Sequence, residues 1–416
     1  MSAKYVIRNK ETILRKEFFG GIVFNRKRAI TLELDEEAFY LLSILDKPLT
    51  LEHLKVQLSR KFARDFSDSE INSIIDNLQR QEITESVPIK NSSLGNNAKT
   101  LSAPETVHLS ITGRCNLDCA FCYGKSEVDD LSTADIFSLI DELSYMKVFQ
   151  LAIGGGEPFL RKDIFEVIDY CQQKNIVANI TTNGTLVTDY VAGRIRNKVG
   201  QVNISYNEAA KKFKNALRIL LKNNIKVGVN LLLTKNILPD LVRTIKELLN
   251  YKIAKIVILR PKPCDNKEWY KENKLAKKEL SELKGILDKR NERINVDCSL
   301  TCLMHDIPRQ ELMEKSVYGC VAGIRFCTIK NNGDVFPCSF FNTNEFLAGN
   351  ILKRDFKTIW EKSETFKKFR QMNNKIKGQC GSCEIRDCCK GCRRIVLESE
   401  KDFYSHEKEC PKNRGL

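Results

Sequence analysis

Three cysteines stand in the order Cys115-Asn-Leu-Asp-Cys119-Ala-Phe-Cys122, a CxxxCxxC spacing just after the strand-like run Val107–Ile111. One loop with that spacing can offer three thiolates to a single four-iron cubane, which leaves one iron without a protein ligand. An open iron can take a substrate, as the open position of a catalytic zinc does. A zinc knuckle would draw on the same thiols but needs a fourth ligand, and no histidine lies near the loop. Disulfides are not expected. The N-terminus, Met1-Ser-Ala-Lys-Tyr-Val-Ile-Arg, lacks the apolar core of an export signal, and cytoplasmic thiols stay reduced.

Cysteine becomes dense again towards the end: Cys320, Cys327, Cys338, Cys380, Cys383, Cys388, Cys389, Cys392 and Cys410. In a reducing compartment that density points to metal. Other candidates follow strand-like runs. Gly154-Gly155-Gly156-Glu157-Pro158 allows a ligand close to the backbone. Thr182-Asn183-Gly184 and Ser205 end further runs, and Arg260 before Pro261 offers a fork for a carboxylate or caps its strand. Cys171, Cys264, Cys298, Cys302 and His305 lie outside clear motifs; Cys298xxxCys302 could supply cluster ligands, but buried cysteine is commonly a small hydrophobe.

The elements that must position these residues alternate. Strands fit Val107–Ile111, Phe149–Ile153, Val177–Thr181, Val202–Tyr206, Val227–Leu233 and Ala254–Leu259. Helices fit between them, for example Ala134–Met146, with Ser132 as N-cap and Asp135 three residues on. Six β/α units predict an α/β fold with a parallel sheet and right-handed crossovers. The candidate residues then gather at the C-terminal ends of the strands, where such barrels carry their sites. Asn331-Asn332-Gly333 reads as a hairpin turn within the cysteine-rich tail.

The CxxxCxxC stretch, with Phe121 before the last cysteine, resembles the cluster motif of the radical S-adenosylmethionine (SAM) family, and Gly155-Gly156-Glu157-Pro158 resembles that family's GGEP motif. The resemblance implies a partial six-stranded barrel in which Cys115, Cys119 and Cys122 bind a [4Fe–4S] cluster. SAM would chelate the open iron and be cleaved reductively to a 5′-deoxyadenosyl radical. Gly155, Gly156, Glu157, Asn183, Ser205 and Arg260 would contact SAM, although Ser205-Tyr-Asn-Glu208 departs from the Ser-Leu-Asp-Gly of many relatives. The tail resembles the SPASM extension with two auxiliary [4Fe–4S] clusters, three clusters in all. By that pattern Cys320, Cys327, Cys338 and Cys392 hold one, and Cys380, Cys383, Cys389 and Cys410 the other, with Cys388 able to replace Cys389. An acidic residue that follows Cys338 in some relatives is Ser339 here, so no base is named.

Residues 1–90 have a pattern of their own. Gly21–Asn25 and Ala29–Leu34 are strand-like. Asp35, Thr50 and Ser67 or Asp68 are N-caps for three amphipathic helices. This resembles the winged-helix-like element that captures leader peptides beside enzymes modifying ribosomally made peptides. A leader would add a strand at the edge of Gly21–Leu34. The polar stretch Lys90–Lys99 reads as a linker. The expected domains are 1–90, a linker 91–103, a barrel 104–305 and a SPASM region 306–416.

The 416 residues suffice for two or three domains. No apolar run spans a membrane, so a cytoplasmic protein is expected. The net charge of +15 is spread over helices, a solvated surface more than a nucleic-acid patch. The expected function is hydrogen abstraction from a precursor peptide to form a thioether or carbon–carbon crosslink, with flavodoxin or ferredoxin as electron donor. The alternatives are tetrapyrrole side-chain chemistry, since Cys380–Arg393 also resembles haem-pathway members, and an iron–sulfur redox sensor that binds DNA through the winged helix.

Overall fold

The structure is a computed structural model that describes residues 5–46, 49–85, 100–206, 211–287 and 292–412. The chain divides into two compact units, Met1–Ser102 and Ala103–Leu416.

In the first unit, β1 (Tyr5–Arg8) is followed by β2 (Thr12–Glu17), β3 (Gly20–Asn25) and β4 (Ile30–Leu34). The last three form an antiparallel sheet with β3 in the middle. Then come α1 (Glu36–Ile44), β5 (Leu49–Thr50), α2 (Leu51–Phe62), α3 (Asp68–Arg80) and β6 (Thr84–Glu85). The helix starts follow local chemistry. Asp35, Thr50 and Ser67 each accept a hydrogen bond from a first-turn backbone N–H, and Ser67 with Glu70 completes a capping box. Leu41, Leu42, Leu54, Leu58, Ile71, Ile75 and Val23 pack into one apolar cluster. Strand β2 was not expected from the sequence. Its charged residues Arg15 and Glu17 obscure the alternation, yet they are buried as an ion pair at 2.7 Å, and Glu17 also accepts from the backbone N and hydroxyl of Ser102.

The second unit begins with the six expected strands: β7 (Thr106–Thr112), β8 (Gln150–Gly155), β9 (Val177–Thr182), β10 (Val199–Ser205), β11 (Val227–Leu232) and β12 (Lys255–Leu259). Between them lie α4 (Thr133–Tyr145), α5 (Ile164–Gln173), α6 (Asp189–Ile195), α7 (Lys211–Lys222) and α8 (Leu241–Leu249). Ser132 and Asp135 form the expected capping box on α4. All six strands are parallel in sequence order. Their side chains alternate: Val107, Leu109, Leu151, Ile153, Ala178, Ile180, Val202 and Ile204 join helix residues such as Ile136 and Val167 in the core. The opposite, concave face carries His108, Ser110, Gln150, Asn179, Asn203 and Ser205, so the barrel lumen is polar.

The sheet runs past the six-stranded barrel at both ends. After β12 come α9 (Lys267–Asn273), α10 (Lys277–Leu287) and β13 (Ile294–Val296), which pairs with β12. From the cysteine-rich region, β14 (Phe326–Ile329), β15 (Asp334–Phe336) and β16 (Gly349–Asn350) follow, and β14 pairs in parallel with β7. Composition changes near residue 305, but the sheet continues across that point. Lys90–Lys99 and the departures at Asn207 and Glu208 lie outside the described residues. Among the described residues no helix is long and apolar enough to cross a membrane.

Candidate active site and auxiliary thiol groups

Strand β7 delivers the Cys115–Cys122 loop to the mouth of the lumen. The carboxylate of Asp130 fixes the loop's start by accepting from Gly113 N at 2.9 Å and from Asn331 Nδ2 at 3.0 Å. The buried Arg161 guanidinium donates to the carbonyls of Ile111 at 3.0 Å and Leu131 at 2.9 Å. Within the loop, Cys122 N donates to Cys119 O. Burial raises the Cys119 thiol, and the neighbouring Cys122 and Cys115 raise it further, so the three sulfurs share one electrostatic environment.

Two other strand ends close on this loop. Gly156 N donates to Thr112 O, and Glu157 N to Arg114 O. A Cβ at Gly156 would stand 1.9 Å from Arg114 O, and Gly155 has φ +108 with Thr112 O at 2.6 Å from its Cβ position. Only glycine allows this approach. Glu157 is fully buried, and its carboxylate accepts from Thr182 Oγ1 at 2.8 Å, Asn183 N at 2.8 Å and Phe159 N at 3.3 Å. Burial raises its pKa and these donors oppose the rise. Glu157 therefore ties the end of β8 to the end of β9. Asn183 completes the closure: its Nδ2 reaches Asn116 Oδ1 at 3.0 Å and Cys115 Sγ at 3.8 Å. Ser205 ends β10 on the lumen side, in register with Asn230.

The sequence offered Arg260 either as a fork for a SAM or substrate carboxylate or as a cap for its strand. Arg260 is only 2% exposed; its guanidinium pairs with Glu407 and donates to Ser299 O at 3.3 Å. The charge offered for a SAM or substrate carboxylate is thus engaged by a carboxylate of the chain.

The later cysteines fall into two groups. Cys380, Cys383, Cys389 and Cys410 line one cavity of about 700 Å³, together with Cys302 and His305. Cys388 instead packs with Leu312 and Ile385. In the other group, Cys338 is pushed up to about 12 by burial, with Cys320 and Cys392 adding to the effect. Cys392 is likewise pushed up to about 11, chiefly by burial. Cys327 is not with them. It faces the apolar side of β14, packs in the main core, and has Arg370 as its charged neighbour. Cys298, which the sequence offered as a cluster ligand only beside the reading as a small hydrophobe, has Cys320 and Cys392 among its electrostatic neighbours. The reason is the period of two: Thr328 beside Cys327 faces the lumen, so Cys327 faces away.

The first loop also touches the second region. Tyr123 packs against Phe340 with ring centroids 4.4 Å apart, and Lys262, paired with Asp297, sits 5.0 Å over the Phe340 ring. In the lumen, His108 Nδ1 and Ser339 Oγ are 3.0 Å apart, and Ser339 meets Thr328 Oγ1 at 2.9 Å.

Among the described residues no three His, Cys, Asp or Glu side chains are close enough to hold one metal ion. Fit to a cluster rests instead on donor chemistry and packing. Cys115, Cys119 and Cys122 share one loop whose flank packs on the glycine turn, and further thiols gather in two groups, which is the donor chemistry of [4Fe–4S] sites.

The radical SAM superfamily model matches residues 109–238, and the SPASM model, an iron–sulfur cluster-binding domain, matches residues 320–384. The mycofactocin maturase MftC of Mycobacterium tuberculosis is 30% identical over 312 residues, 70% of this chain and 78% of MftC. The chain belongs to the radical SAM superfamily and carries a SPASM extension. The AdoMet-dependent heme synthase of Methanosarcina barkeri is 25% identical over 345 residues, 74% of this chain and 97% of that protein. The crystal structure of Streptococcus suis SuiB bound to precursor peptide SuiA shares the fold at a TM-score of 0.72 and 18% identity, over 97% of this chain and 99% of that one. In this radical SAM enzyme, sequence reasoning missed His108, Lys262 and Glu407, and left Cys298 as an alternative only. A lone histidine on a strand carries no motif, and Glu407 lies 147 residues from its partner Arg260. Cys298xxxCys302 was the one visible signal.

Proposed function

We propose that this radical SAM enzyme modifies a ribosomally made peptide, forming a thioether or carbon–carbon crosslink. A reduced [4Fe–4S] cluster with bound SAM would supply a 5′-deoxyadenosyl radical, which takes one hydrogen atom from the peptide to give 5′-deoxyadenosine; closing the crosslink releases a proton, and one electron that the auxiliary clusters accept. Cys115, Cys119 and Cys122 hold that cluster. The backbone of Gly155 and Gly156, with Asn183 and Ser205, faces SAM. Glu157 keeps the GGGEP turn and the β9 end in place. Cys380, Cys383, Cys389 and Cys410 hold one auxiliary cluster, which leaves Cys388 as packing. The other is held by Cys320, Cys338, Cys392 and Cys298, with Cys298 in the place the sequence offered to Cys327. The N-terminal unit captures the leader, which adds a strand beside β4, an outer strand of its sheet. A flavodoxin or ferredoxin donates electrons in the cytoplasm, where the thiols stay reduced.

The observation that carries this reading is the fold shared with peptide-bound SuiB, which extends over nearly the whole chain and so takes in the N-terminal unit. The tetrapyrrole reading draws on the heme synthase relatives, but 97% of the Methanosarcina protein is matched by 74% of this chain, so about a quarter of the chain has no counterpart there. The test is anaerobic incubation of the reconstituted chain with SAM, reductant and a short peptide encoded beside its gene. A peptide lighter by about two hydrogens, with 5′-deoxyadenosine formed in step, is the expected result. Deoxyadenosine without peptide change, and porphyrin-like absorbance on binding a tetrapyrrole, would overturn the peptide assignment.

A further inference from the structure

Glu407 touches both auxiliary thiol groups at once. Its backbone N donates to Cys380 Sγ at 3.4 Å, and its carbonyl accepts from Cys410 N at 3.2 Å, both in the Cys380 group. Its carboxylate turns the other way and accepts from Cys392 N at 2.9 Å, in the Cys320 group. The same carboxylate pairs with Arg260 from the end of β12. Both side chains are 2% exposed, so water does little to screen this pair. Gly391 gives the carboxylate room: a Cβ there would stand 2.9 Å from Glu407 Oε2.

We propose that the Arg260–Glu407 pair is the electrostatic link between the two auxiliary sites and sets the reduction potential of the Cys320-group cluster relative to its neighbour. The inference rests on the cluster reading above and not on the peptide assignment. A buried carboxylate beside a cluster opposes the arrival of an electron, and a guanidinium favours it. Hydrogen bonding near cluster thiolates acts in the same sense as the guanidinium. In the pair the two charges nearly cancel, so removing either one unbalances the field at Cys392. Arg260 and Glu407 are thus positioning residues for electron transfer.

The test uses the full chain with Cys115, Cys119 and Cys122 replaced by Ala, so that only auxiliary clusters remain. The midpoint potentials are read by EPR-monitored titration, with iron counted in each sample. Glu407→Gln is expected to keep the iron and move one auxiliary potential to a more positive value. Arg260→Gln leaves the Glu407 contacts to the cysteines in place and is expected to move that same potential negative. Arg260→Lys, which keeps the charge, is expected to stay near the parent. Unmoved potentials in both neutral variants, with iron retained, would overturn the proposal. Should Glu407→Gln lose iron, Arg260→Gln decides alone by the same criterion. Should both lose iron, Arg260→Lys decides: retained iron and potential support a charge role, and lost iron means packing alone and overturns it. Absence of any auxiliary EPR signal in the parent is a separate failure, that of the cluster reading itself.

Discussion

Cys327 is turned into the core by the face of β14 it occupies, whereas Cys298 opens a short 3-10 helix, Cys298–Met304, with Cys320 and Cys392 as electrostatic neighbours. On the proposed three-cluster assignment, replacing Cys298 with Ala should lower iron by roughly four of about twelve atoms per chain, because the proposed cubane loses a ligand. Cys327→Ala should leave iron unchanged and cost packing energy instead, about 1–2 kcal/mol for trimming a buried small side chain. Iron and sulfide assays on the purified variants check both. His108 gives a pH signature. Burial pushes its pKa down to about 4. A histidine that stays neutral in the folded chain takes up a proton on unfolding below about pH 6.5. Stability present above that pH is therefore lost progressively as the pH falls towards 4, by up to about 3 kcal/mol. In His108→Gln that loss should vanish, so the gap between variant and parent in urea midpoints should change between pH 7 and pH 5. An unchanging gap would show that His108 keeps its ordinary pKa.

At the scale of elements, the GGGEP turn and the cysteine loop are pressed together without a side chain between them. Gly156→Ala puts a methyl group against the Arg114 carbonyl, 1.9 Å away in the present geometry, and backbone must move to relieve it. We expect SAM binding to weaken by at least about tenfold, some 1.4 kcal/mol, by equilibrium dialysis against the anaerobic protein. SAM affinity equal to the parent's would sink this account of the cradle. Elements of this kind were legible where the signal is local. Ser132, Thr50 and Ser67 announce helix starts because a cap bonds within its own first turn. The six lumen strands were legible because their outer-face residues alternate with polar ones. Strand β2 was hidden because its buried positions hold Arg15 and Glu17, whose pairing a one-dimensional pattern does not display.

For the whole molecule, the two compact units divide the proposed labour. The N-terminal unit has its own apolar cluster, and the barrel unit holds every cysteine. Removing residues 1–102 should leave SAM cleavage within about threefold of the full chain, yet abolish peptide modification at low peptide concentration. Deoxyadenosine and peptide mass, measured together, check this. Equal peptide turnover by the truncated chain would remove the case for leader capture. The sequence by itself determined the chemistry: thiols at cluster spacing, glycines after a strand, and the order of β/α units. These depend on residue types and short separations along the chain. Only the tertiary structure decided which cysteines lie near one another, that Arg260 meets Glu407, and that β14 pairs with β7 so that the SPASM region and the barrel share one sheet. Those outcomes depend on which face of a strand a side chain occupies and on contacts between residues more than a hundred positions apart, and nothing in the local sequence encodes either.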